Sequence, residues 1–278
     1  SFGPPPTSDM AAAANTAQAV GTYLVTGASS GIGLALVTAL AARGDKVYAT
    51  VRTKASSNTG VDSISAVQGD VTVIEGIDIT DDTVGDALAA ALEGVTLDVV
   101  VHNAGSLNGT RELTGMAVMT EQKLEAITMD RMRAAFEVNT LGPLRVQQAV
   151  LPMTKSPGGK VAIVSTGLAS IGDNGSGGNY AYRTSKAGVN MIAKSMSVDL
   201  KDKEIAVCPI TPGFAITEFG PGAAALESMG AKPVGEVATA MISIIDGMSM
   251  ENTGTFQVVR TGGYEGPTQE ISTGTMEW

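Results

Sequence analysis

A glycine-rich turn between a short apolar run and a helical pattern is the feature that most constrains how this chain can fold. Residues 22–25 form the apolar run, the turn reads Thr26-Gly27-Ala28-Ser29-Ser30-Gly31-Ile32-Gly33, and apolar residues then recur at helical spacing. Strand, tight turn and helix in this order bring backbone N–H groups and a helix N-terminus against a pyrophosphate. The glycine spacing is Gly-x-x-x-Gly-x-Gly rather than the commoner Gly-x-Gly-x-x-Gly. The segment favours a dinucleotide-binding turn, with a plain strand–helix turn as the alternative.

The next predicted strand, residues 46–51, is followed by an arginine rather than an acidic residue. In dinucleotide-binding folds an acid at this point holds the ribose 2′-hydroxyl of NAD, whereas an arginine suits the 2′-phosphate of NADP. Arg52 occupies the position, and residues 50–54 contain no acid. The pattern therefore favours NADP(H), and a solvated arginine at a strand end is the alternative.

Predicted strands and helices alternate along the rest of the chain. Strand patterns cover residues 71–79, 97–101, 160–164, 205–210 and 255–259, and helical patterns cover residues 81–92, 129–151, 180–200 and 234–245. Such alternation predicts an α/β fold with one doubly wound, Rossmann-like parallel sheet, whose ligand lies at the carboxyl ends of the strands.

Three segments fall outside this alternation. Pro4-Pro5-Pro6 cannot continue a helix and residues 11–19 are small and polar-flanked, so residues 1–20 predict an N-terminal appendage and the domain is expected to cover residues 21–278. Residues 106–127 are the least periodic stretch and predict a loop over the site. Residues 214–230 are rich in glycine and alanine and predict a lid.

Composition excludes several classes of function. The formal net charge is −10, which argues against a protein that binds a nucleic-acid backbone. Cys208 is the only cysteine and His102 the only histidine, so intramolecular disulfides are impossible and histidine metal sites or a Ser-His-Asp triad are poorly supported. No apolar run reaches the roughly 18 residues that a membrane helix needs. We therefore expect no metal and no membrane span, and a small molecule as the partner.

A tyrosine and a lysine four residues apart form the candidate chemical centre. Tyr182 and Lys186 lie near the start of the helical pattern over residues 180–200, and at this spacing both project from the same side of a helix. An ammonium near a phenol favours the phenolate, so we expect the pKa of Tyr182 to fall below about 10. Since Tyr-x-x-x-Lys also arises in purely structural helices, the assignment depends on other motifs.

These motifs together resemble the classical short-chain dehydrogenases/reductases over residues 21–260. The matching residues are the turn at 26–33, Asp78, Asn103-Ala104-Gly105, Asn139, Ser165-Thr166, Tyr182-x-x-x-Lys186 and Pro212-Gly213-x-x-x-Thr217. Residues 177–183 and 254–256 are similar to the C-factor and sniffer-type carbonyl reductases within that family. The resemblance implies an NADP(H)-dependent oxidoreductase that transfers a hydride between the nicotinamide and a carbonyl or alcohol substrate.

The resemblance also implies roles for individual residues. Tyr182 would be the general acid that protonates a carbonyl oxygen, Lys186 would lower its pKa and hold the nicotinamide ribose, and Asn139 would support a water that links Lys186 to solvent. The implied cofactor-binding residues are Gly27, Ser29, Ser30, Gly31, Ile32, Gly33, Arg52, Asp78, Ile79, Asn103, Ala104, Gly105, Tyr182, Lys186, Pro212, Gly213, Ile216 and Thr217.

The chain departs from the family at the residue that binds the substrate oxygen. A serine is usual after the fifth strand, but alignment of the strand start places Thr166 there, with Ser165 directly before it. Threonine offers the same hydroxyl with a stiffer χ1, so both residues remain candidates. His102 stands where an asparagine is common, and we expect it to be bonded locally.

Fold alone does not fix function, so two interpretations remain. The first is a carbonyl reductase or alcohol dehydrogenase with a mostly apolar pocket formed by Leu107, Leu168, Ile171 and Phe214. The second is a non-catalytic NADP-binding structural or regulatory subunit. Family members often pair through helices like those at 129–151 and 180–200, which implies a homodimer or homotetramer. We expect a cytoplasmic location, or an organelle stroma or matrix after removal of a targeting segment.

Overall fold

One mostly parallel sheet forms the centre of the part of the chain that the computed structural model describes, which is residues 20–52, 63–107, 109, 117, 120–262 and 270–278. Its strands are β1 Thr22–Val25, β2 Lys46–Val51, β3 Val71–Glu75, β4 Val99–His102, β5 Lys160–Val164, β6 Ala206–Thr211, β7 Phe256–Arg260 and β8 Ser272–Met276. Their order is β3-β2-β1-β4-β5-β6-β7-β8, and β8 runs antiparallel to β7 whereas the other pairs are parallel. The predicted α/β, doubly wound, Rossmann-like fold is confirmed.

Helices cover both faces of the sheet. They are α1 Gly31–Arg43, α2 Val84–Ala91, α3 Met129–Phe136, α4 Gly142–Val150, α5 Tyr180–Asp199, α6 Ala223–Ser228 and α7 Val234–Asp246. Helix α1 packs against α7 on one face, and α2 packs against α4 and α3 against α5 on the other. The central strands are buried on both sides, which is why they are continuously apolar in sequence.

Strand order determines where a ligand fits. Strand β1 lies between β2 and β4, so the chain leaves β1 toward one edge of the sheet and returns to β4 on its other side. The loops after β1 and β4 therefore diverge and leave a crevice at the carboxyl ends of these strands. The glycine-rich turn and Asn103-Ala104-Gly105 both lie at this crevice.

Two predicted boundaries on the cofactor side were wrong. The third strand was expected to cover residues 71–79 but ends at Glu75, because Gly76 adopts a φ of 76° and turns the chain. The next helix was expected from residue 81 but begins at Val84. Asp81 Oδ1 accepts the N–H of Thr83 in a turn that precedes the helix.

The helix predicted over residues 129–151 is interrupted at its centre. A π-helical turn, Glu137–Leu141, joins α3 to α4 and contains Asn139. Such turns insert an extra residue into a helix and are frequent at functional sites. Strand β8 was missed entirely, since its sequence Ser-Thr-Gly-Thr-Met has no apolar alternation.

Two further expectations concern the chain as a whole. Residues 1–19 of the predicted appendage lie outside the described residues. In the part of the chain that the structure describes, no helix combines the length and the apolar character that crossing a bilayer requires.

Candidate active site

The glycine-rich turn opens directly into helix α1 and leaves the start of that helix accessible. Ser30 precedes the helix in extended conformation, and its side chain makes no capping hydrogen bond. Gly31 has a φ of 55°, and a Cβ built on it would meet only the side chain of Thr217, at 3.6 Å. Open space beside an uncapped helix N-terminus fits a pyrophosphate, whose oxygens would accept hydrogen bonds from these N–H groups.

The other two glycines of the turn are required by close packing. A Cβ on Gly27 would lie 2.7 Å from Ala104 Cα. A Cβ on Gly33 would lie 2.4 Å from the Gly27 oxygen and 2.5 Å from Asn103 Nδ2. Both positions therefore exclude any side chain, because no flexible group is available to move aside.

Asn103 fastens the turn to the end of β4. Its Nδ2 donates to the carbonyl oxygens of Thr26 and Gly27, both at 3.0 Å, and its N–H donates to Thr26 Oγ1 at 3.0 Å. The N–H of Ala104 donates to the same hydroxyl. The amide hydrogens of Asn103 thus fix the shape of the turn, and the contact with the cofactor that the resemblance implies stays a prediction.

Three of the implied cofactor-binding residues, Arg52, Asp78 and Ile79, follow the carboxyl ends of β2 and β3. The N–H of Ile77 donates to the Val51 oxygen, which joins the loop after β3 to the end of β2, where Arg52 is exposed. Asp78 Oδ1 accepts from both the N–H and the hydroxyl of Thr80. Ile79 is buried in the core beside α4, so its side chain serves packing.

The loop after β6 returns to the glycine-rich turn. Pro212 and Gly213 follow the strand, and Gly213 has a φ of 70° in a position where a Cβ would lie 2.5 Å from the Val259 oxygen. Ile216 then donates its N–H to the oxygen of Lys232. This turn brings the methyl group of Thr217 opposite Gly31, so the loop after β6 and the glycine-rich turn lie side by side in the implied cofactor site.

The two candidate hydroxyls after β5 have different environments. Ser165 is buried and donates to Asn190 Oδ1 at 2.6 Å, behind the strand end. The hydroxyl of Thr166 lies close enough to the phenol of Tyr182 to lower its pKa, and it accepts the N–H of Leu168. The structure therefore brings Thr166, and not Ser165, to the tyrosine.

Lys186 lies behind Tyr182 and is bonded to the end of β5. Its Nζ donates to the Val164 oxygen at 2.7 Å, and burial lowers the pKa of Lys186 to about 8. Burial raises the pKa of Tyr182 to about 12, opposed by the weaker effect of the Thr166 hydroxyl. The expectation of a lowered tyrosine pKa was wrong, because removal of the phenol from water outweighs the nearby opposing groups.

Asn139, in the π-helical turn, joins three parts of the site. Its Oδ1 accepts the N–H of Ser106, and its Nδ2 donates to the Ser106 oxygen and to Ser185 Oγ. A Cβ on Gly105 would lie 3.2 Å from Asn139 Oδ1 and 3.4 Å from Lys186 Nζ, so the loop after β4, Asn139 and Lys186 converge. The partners that a buried asparagine needs are thus present, and its link to a water stays a prediction.

The predicted lid contributes an aromatic ring that the sequence did not single out. The Phe219 ring lies 5.8 Å from that of Tyr182, tilted by 53°. A Cβ on the following residue, Gly220, would lie 3.7 Å from Leu107 Cδ2. By contrast, Ile171 is 81% exposed and lines a surface cleft with Met191 and Trp278, so its assignment to the apolar pocket was wrong.

A second residue missed from sequence is Gln122, which is fully buried in the segment that was expected to form a loop over the site. Its side chain reaches the N–H groups of Ala181 and Tyr182. Residues 106–127 carry no periodic pattern and no chemical motif, so no sequence signal pointed to it.

Comparisons with known proteins agree with this geometry. A family model described as short chain dehydrogenase matches residues 21–225. A 1-hydroxy-2-glutathionyl-2-methyl-3-butene dehydrogenase from Rhodococcus sp. (strain AD45) is 36% identical over 241 residues, which cover 85% of this chain and 95% of that protein. A short-chain dehydrogenase/reductase from Burkholderia multivorans, solved with bound NADP, has a TM-score of 0.73 and 25% identity over 94% of this chain and 100% of its own. An NADPH-bound carbonyl reductase from chicken fatty liver has a TM-score of 0.72 and 23% identity over 93% and 99% of the two chains.

Proposed function

Because this chain belongs to the short-chain dehydrogenase family of oxidoreductases, we propose that it is an NADPH-dependent carbonyl reductase with Tyr182 as its general acid. The observation that carries the proposal is the position of the Thr166 hydroxyl beside the Tyr182 phenol, close enough to lower the pKa of that phenol. Lys186 and Asn139 stand behind this pair, which lies at the same carboxyl edge of the sheet as the glycine-rich turn.

The cofactor site supports NADP(H) as the hydride carrier. The uncapped start of α1 and the open space at Gly31 fit the pyrophosphate. Arg52 lies at the edge where a 2′-phosphate would be, and residues 50–52 at the end of β2 offer no carboxylate for a 2′-hydroxyl. The Burkholderia multivorans protein is solved with NADP and the chicken protein with NADPH. NADPH, when bound, supplies the hydride.

The protein supplies the proton and stabilises the developing charge. As the substrate carbon gains a hydride, its oxygen gains negative charge and takes the phenol proton of Tyr182, which yields the alcohol and a phenolate. The hydroxyl of Thr166 donates a second hydrogen bond to that oxygen. Burial raises the pKa of Tyr182 to about 12, so the phenol is protonated near neutral pH, as a general acid in carbonyl reduction must be.

Lys186 and Asn139 restore the proton after each turnover in this proposal. The pKa of Lys186 is about 8, so its ammonium exchanges protons with solvent near neutral pH. Asn139 is held at the same place by three hydrogen bonds, and a water beside it would carry the proton onward.

Apolar side chains near Tyr182 indicate the class of substrate. Phe219 lies against the phenol ring. Leu107 lies near Gly220, the residue after Phe219, and Leu168 is in the short turn that follows Thr166. We propose an aldehyde, ketone or quinone whose carbonyl group carries an apolar substituent. A charged substituent here would lose hydration without a partner among these three side chains.

Exposed apolar side chains on α3 and α5 support the pairing of two copies that the resemblance implies. Met129 and Phe136 on α3 are 59% and 41% exposed, and Met191 and Val198 on α5 are 67% and 64% exposed. Large apolar side chains exposed on two helices that pack together are typical of an interface. A homodimer or homotetramer through these helices stays a prediction.

Replacement of Tyr182 by phenylalanine tests the proposed function. NADPH oxidation is measured with a panel of apolar aldehydes, ketones and quinones, and NADPH binding is measured by fluorescence. We expect Tyr182→Phe to lower kcat by about 10²–10⁴-fold, the range for loss of a general acid, with little change in NADPH affinity. Parent-like kcat in this variant contradicts the assignment.

The same panel separates the enzyme from the non-catalytic alternative. NADPH binding with no turnover of any substrate by the parent protein, together with co-purification in a larger assembly, favours a structural or regulatory subunit. Threonine in place of the usual serine does not favour that alternative, because the hydroxyl that the chemistry needs lies beside the Tyr182 phenol.

A further inference from the structure

Helix α5, which carries Tyr182 and Lys186, lacks a cap from its own sequence. The residue before it, Asn179, adopts a left-handed conformation with φ 50° and ψ 37° and makes no side-chain capping bond. Its Oδ1 is buried and has no partner among the described residues. The first N–H groups of a helix have no partners within the helix, and a preceding asparagine in extended conformation normally satisfies one of them.

Gln122, which lies 59 positions before Ala181, supplies the missing partners. Its Oε1 accepts the N–H of Ala181 at 3.0 Å and that of Tyr182 at 3.4 Å. Its backbone oxygen accepts the N–H of Tyr180 at 3.5 Å. The residue is 0% exposed, so water cannot replace these bonds if the side chain is removed.

The other end of the same carboxamide holds the loop after β4. Gln122 Nε2 donates to the Leu107 oxygen. The neighbouring residue, Ser106, is bonded through both its N–H and its oxygen to Asn139, which donates in turn to Ser185 on α5. Two carboxamides, from Gln122 and Asn139, therefore connect this short segment to the first two turns of the catalytic helix.

We propose that Gln122 is a positioning residue that holds the first turn of α5, and with it the phenol of Tyr182, against the loop that follows the cofactor-binding end of β4. The inference rests on the proposed role of Tyr182. Gln122 does not touch the reacting atoms. It fixes the turn in which the phenol is anchored, at a helix end that would otherwise fray because its N–H groups have no partner.

The consequence for catalysis follows from where Tyr182 is attached. A displacement of about 1 Å in a group that must meet the reacting atom costs about 10²-fold in rate. Cofactor binding depends mainly on the glycine-rich turn and α1, which Gln122 does not contact. Loss of its carboxamide is therefore expected to lower kcat and to leave NADPH affinity nearly unchanged.

Two substitutions separate positioning from general stability. Gln122→Met keeps the length of the side chain and removes every side-chain hydrogen bond, and Gln122→Glu keeps the acceptor oxygens at the helix N-terminus, where a carboxylate is favoured. Gln147→Met is the matched control, since Gln147 is also buried, and it bonds to His102 and Thr154 rather than to α5. All proteins are assayed well below their unfolding temperatures.

We expect Gln122→Met to lower kcat by about 10- to 10²-fold and Gln147→Met to keep the parent kcat. Gln122→Glu should recover only part of the loss, because it keeps the acceptor for the helix N–H groups but cannot donate to the Leu107 oxygen. Hydrogen exchange of the Ala181 and Tyr182 amides should accelerate in Gln122→Met alone. Parent-like kcat in Gln122→Met, with a loss of thermal stability equal to that in Gln147→Met, overturns the proposal.

The hydrogen-exchange measurement keeps this test separate from that of the proposed function. If the parent has no turnover, or if Tyr182→Phe retains it, the function proposal fails, and amide exchange still reports whether Gln122 holds the helix start. Unchanged protection of these two amides in Gln122→Met overturns the positioning proposal whatever the activity.

Discussion

The two halves of the candidate site are built in different ways. On the cofactor side, the turn at residues 26–33 is contiguous in sequence, and its shape follows from glycines that tolerate no side chain or that need a positive φ. On the catalytic side, Thr166, Tyr182 and Asn139 come from separate elements and are held by hydrogen bonds between distant residues, such as Asn139 to Ser185, 46 positions apart.

This difference determines what a single substitution does. In the contiguous half, backbone N–H groups would bind the cofactor. Most side chains of that half therefore affect only the packing or the charge around the turn. In the assembled half, each side chain has a defined donor or acceptor role, and removing one leaves a buried partner unsatisfied. We therefore expect the largest effects on rate in the catalytic half, and effects on cofactor choice or stability in the other.

After loss of the Tyr182 phenol, removal of the Thr166 hydroxyl should have the largest effect on kcat. Thr166→Val keeps the shape of the side chain but cannot bond the substrate oxygen, and loss of one such donor costs about 2.7–4 kcal/mol, or about 10²–10³ in kcat. Steady-state kinetics on the best carbonyl substrate measure this. The effect should fall on kcat, because the bond is strongest when the oxygen carries charge.

Ser165→Ala is the control for that substitution. Ser165 bonds Asn190 within the core and does not reach Tyr182, so its loss should lower the free energy of unfolding by about 1–3 kcal/mol with little change in kcat. If kcat falls in Ser165→Ala and is unchanged in Thr166→Val, Ser165 rather than Thr166 binds the substrate oxygen.

The sequence was sufficient for the fold because the signals for it are local and repeated. Apolar runs and helical spacing fall in alternation, and burial of the sheet on both faces makes those runs continuous. Strand β8 escaped because its residues are small and polar. The strand forms by antiparallel pairing with β7, and no sequence pattern within residues 272–276 predicts that pairing.

The sequence identified the site residues by chemical type but could not give their partners. The four-residue spacing correctly put Tyr182 and Lys186 near one another on α5, yet it did not show that the Lys186 ammonium bonds to Val164 or that burial dominates the tyrosine pKa. Gln122 was not identified for the same reason, since its contacts with α5 exist only after the chain has folded.

His102 lies at the end of β4, and its buried imidazole leads us to predict that stability depends on pH. Burial lowers its pKa from 6.5 to about 4, against the smaller opposite effect of Gln147. The unfolded state therefore binds one more proton between these two pH values. Above pH 6.5 the neutral histidine does not reduce the free energy of unfolding. As pH falls from 6.5 to 4, this free energy decreases by about 3 kcal/mol, because the unfolded state takes up the proton.

Chemical denaturation of the parent and of His102→Asn between pH 4 and 7 measures this contribution. Carboxylates contribute equally to both proteins, so the difference in unfolding free energy isolates the histidine. We expect the asparagine variant to lose less stability on acidification. Equal slopes in the two proteins would mean that His102 becomes protonated in the folded state without cost.

Arg52 should affect kcat/KM less than Thr166 affects kcat, because it is exposed at the end of β2 and solvent screens its charge. We expect the parent to prefer NADPH to NADH and Arg52→Asp to weaken or reverse that preference. A hydrogen bond to a charged group contributes about 1.5–3 kcal/mol, so kcat/KM for NADPH should fall by about 10- to 10²-fold, and less at high salt. Equal kcat/KM for both cofactors in the parent contradicts the assignment.

The NADH kinetics of Arg52→Asp also test whether the two halves are independent. Arg133→Asp on helix α3 is the control for a change of surface charge, since Arg133 is 75% exposed and pairs with Asp130. If only the NADPH value changes, the contiguous half can be altered without disturbing Tyr182 and Thr166. If NADH turnover falls equally, the end of β2 also affects helix α5, and the two halves of the site are not independent.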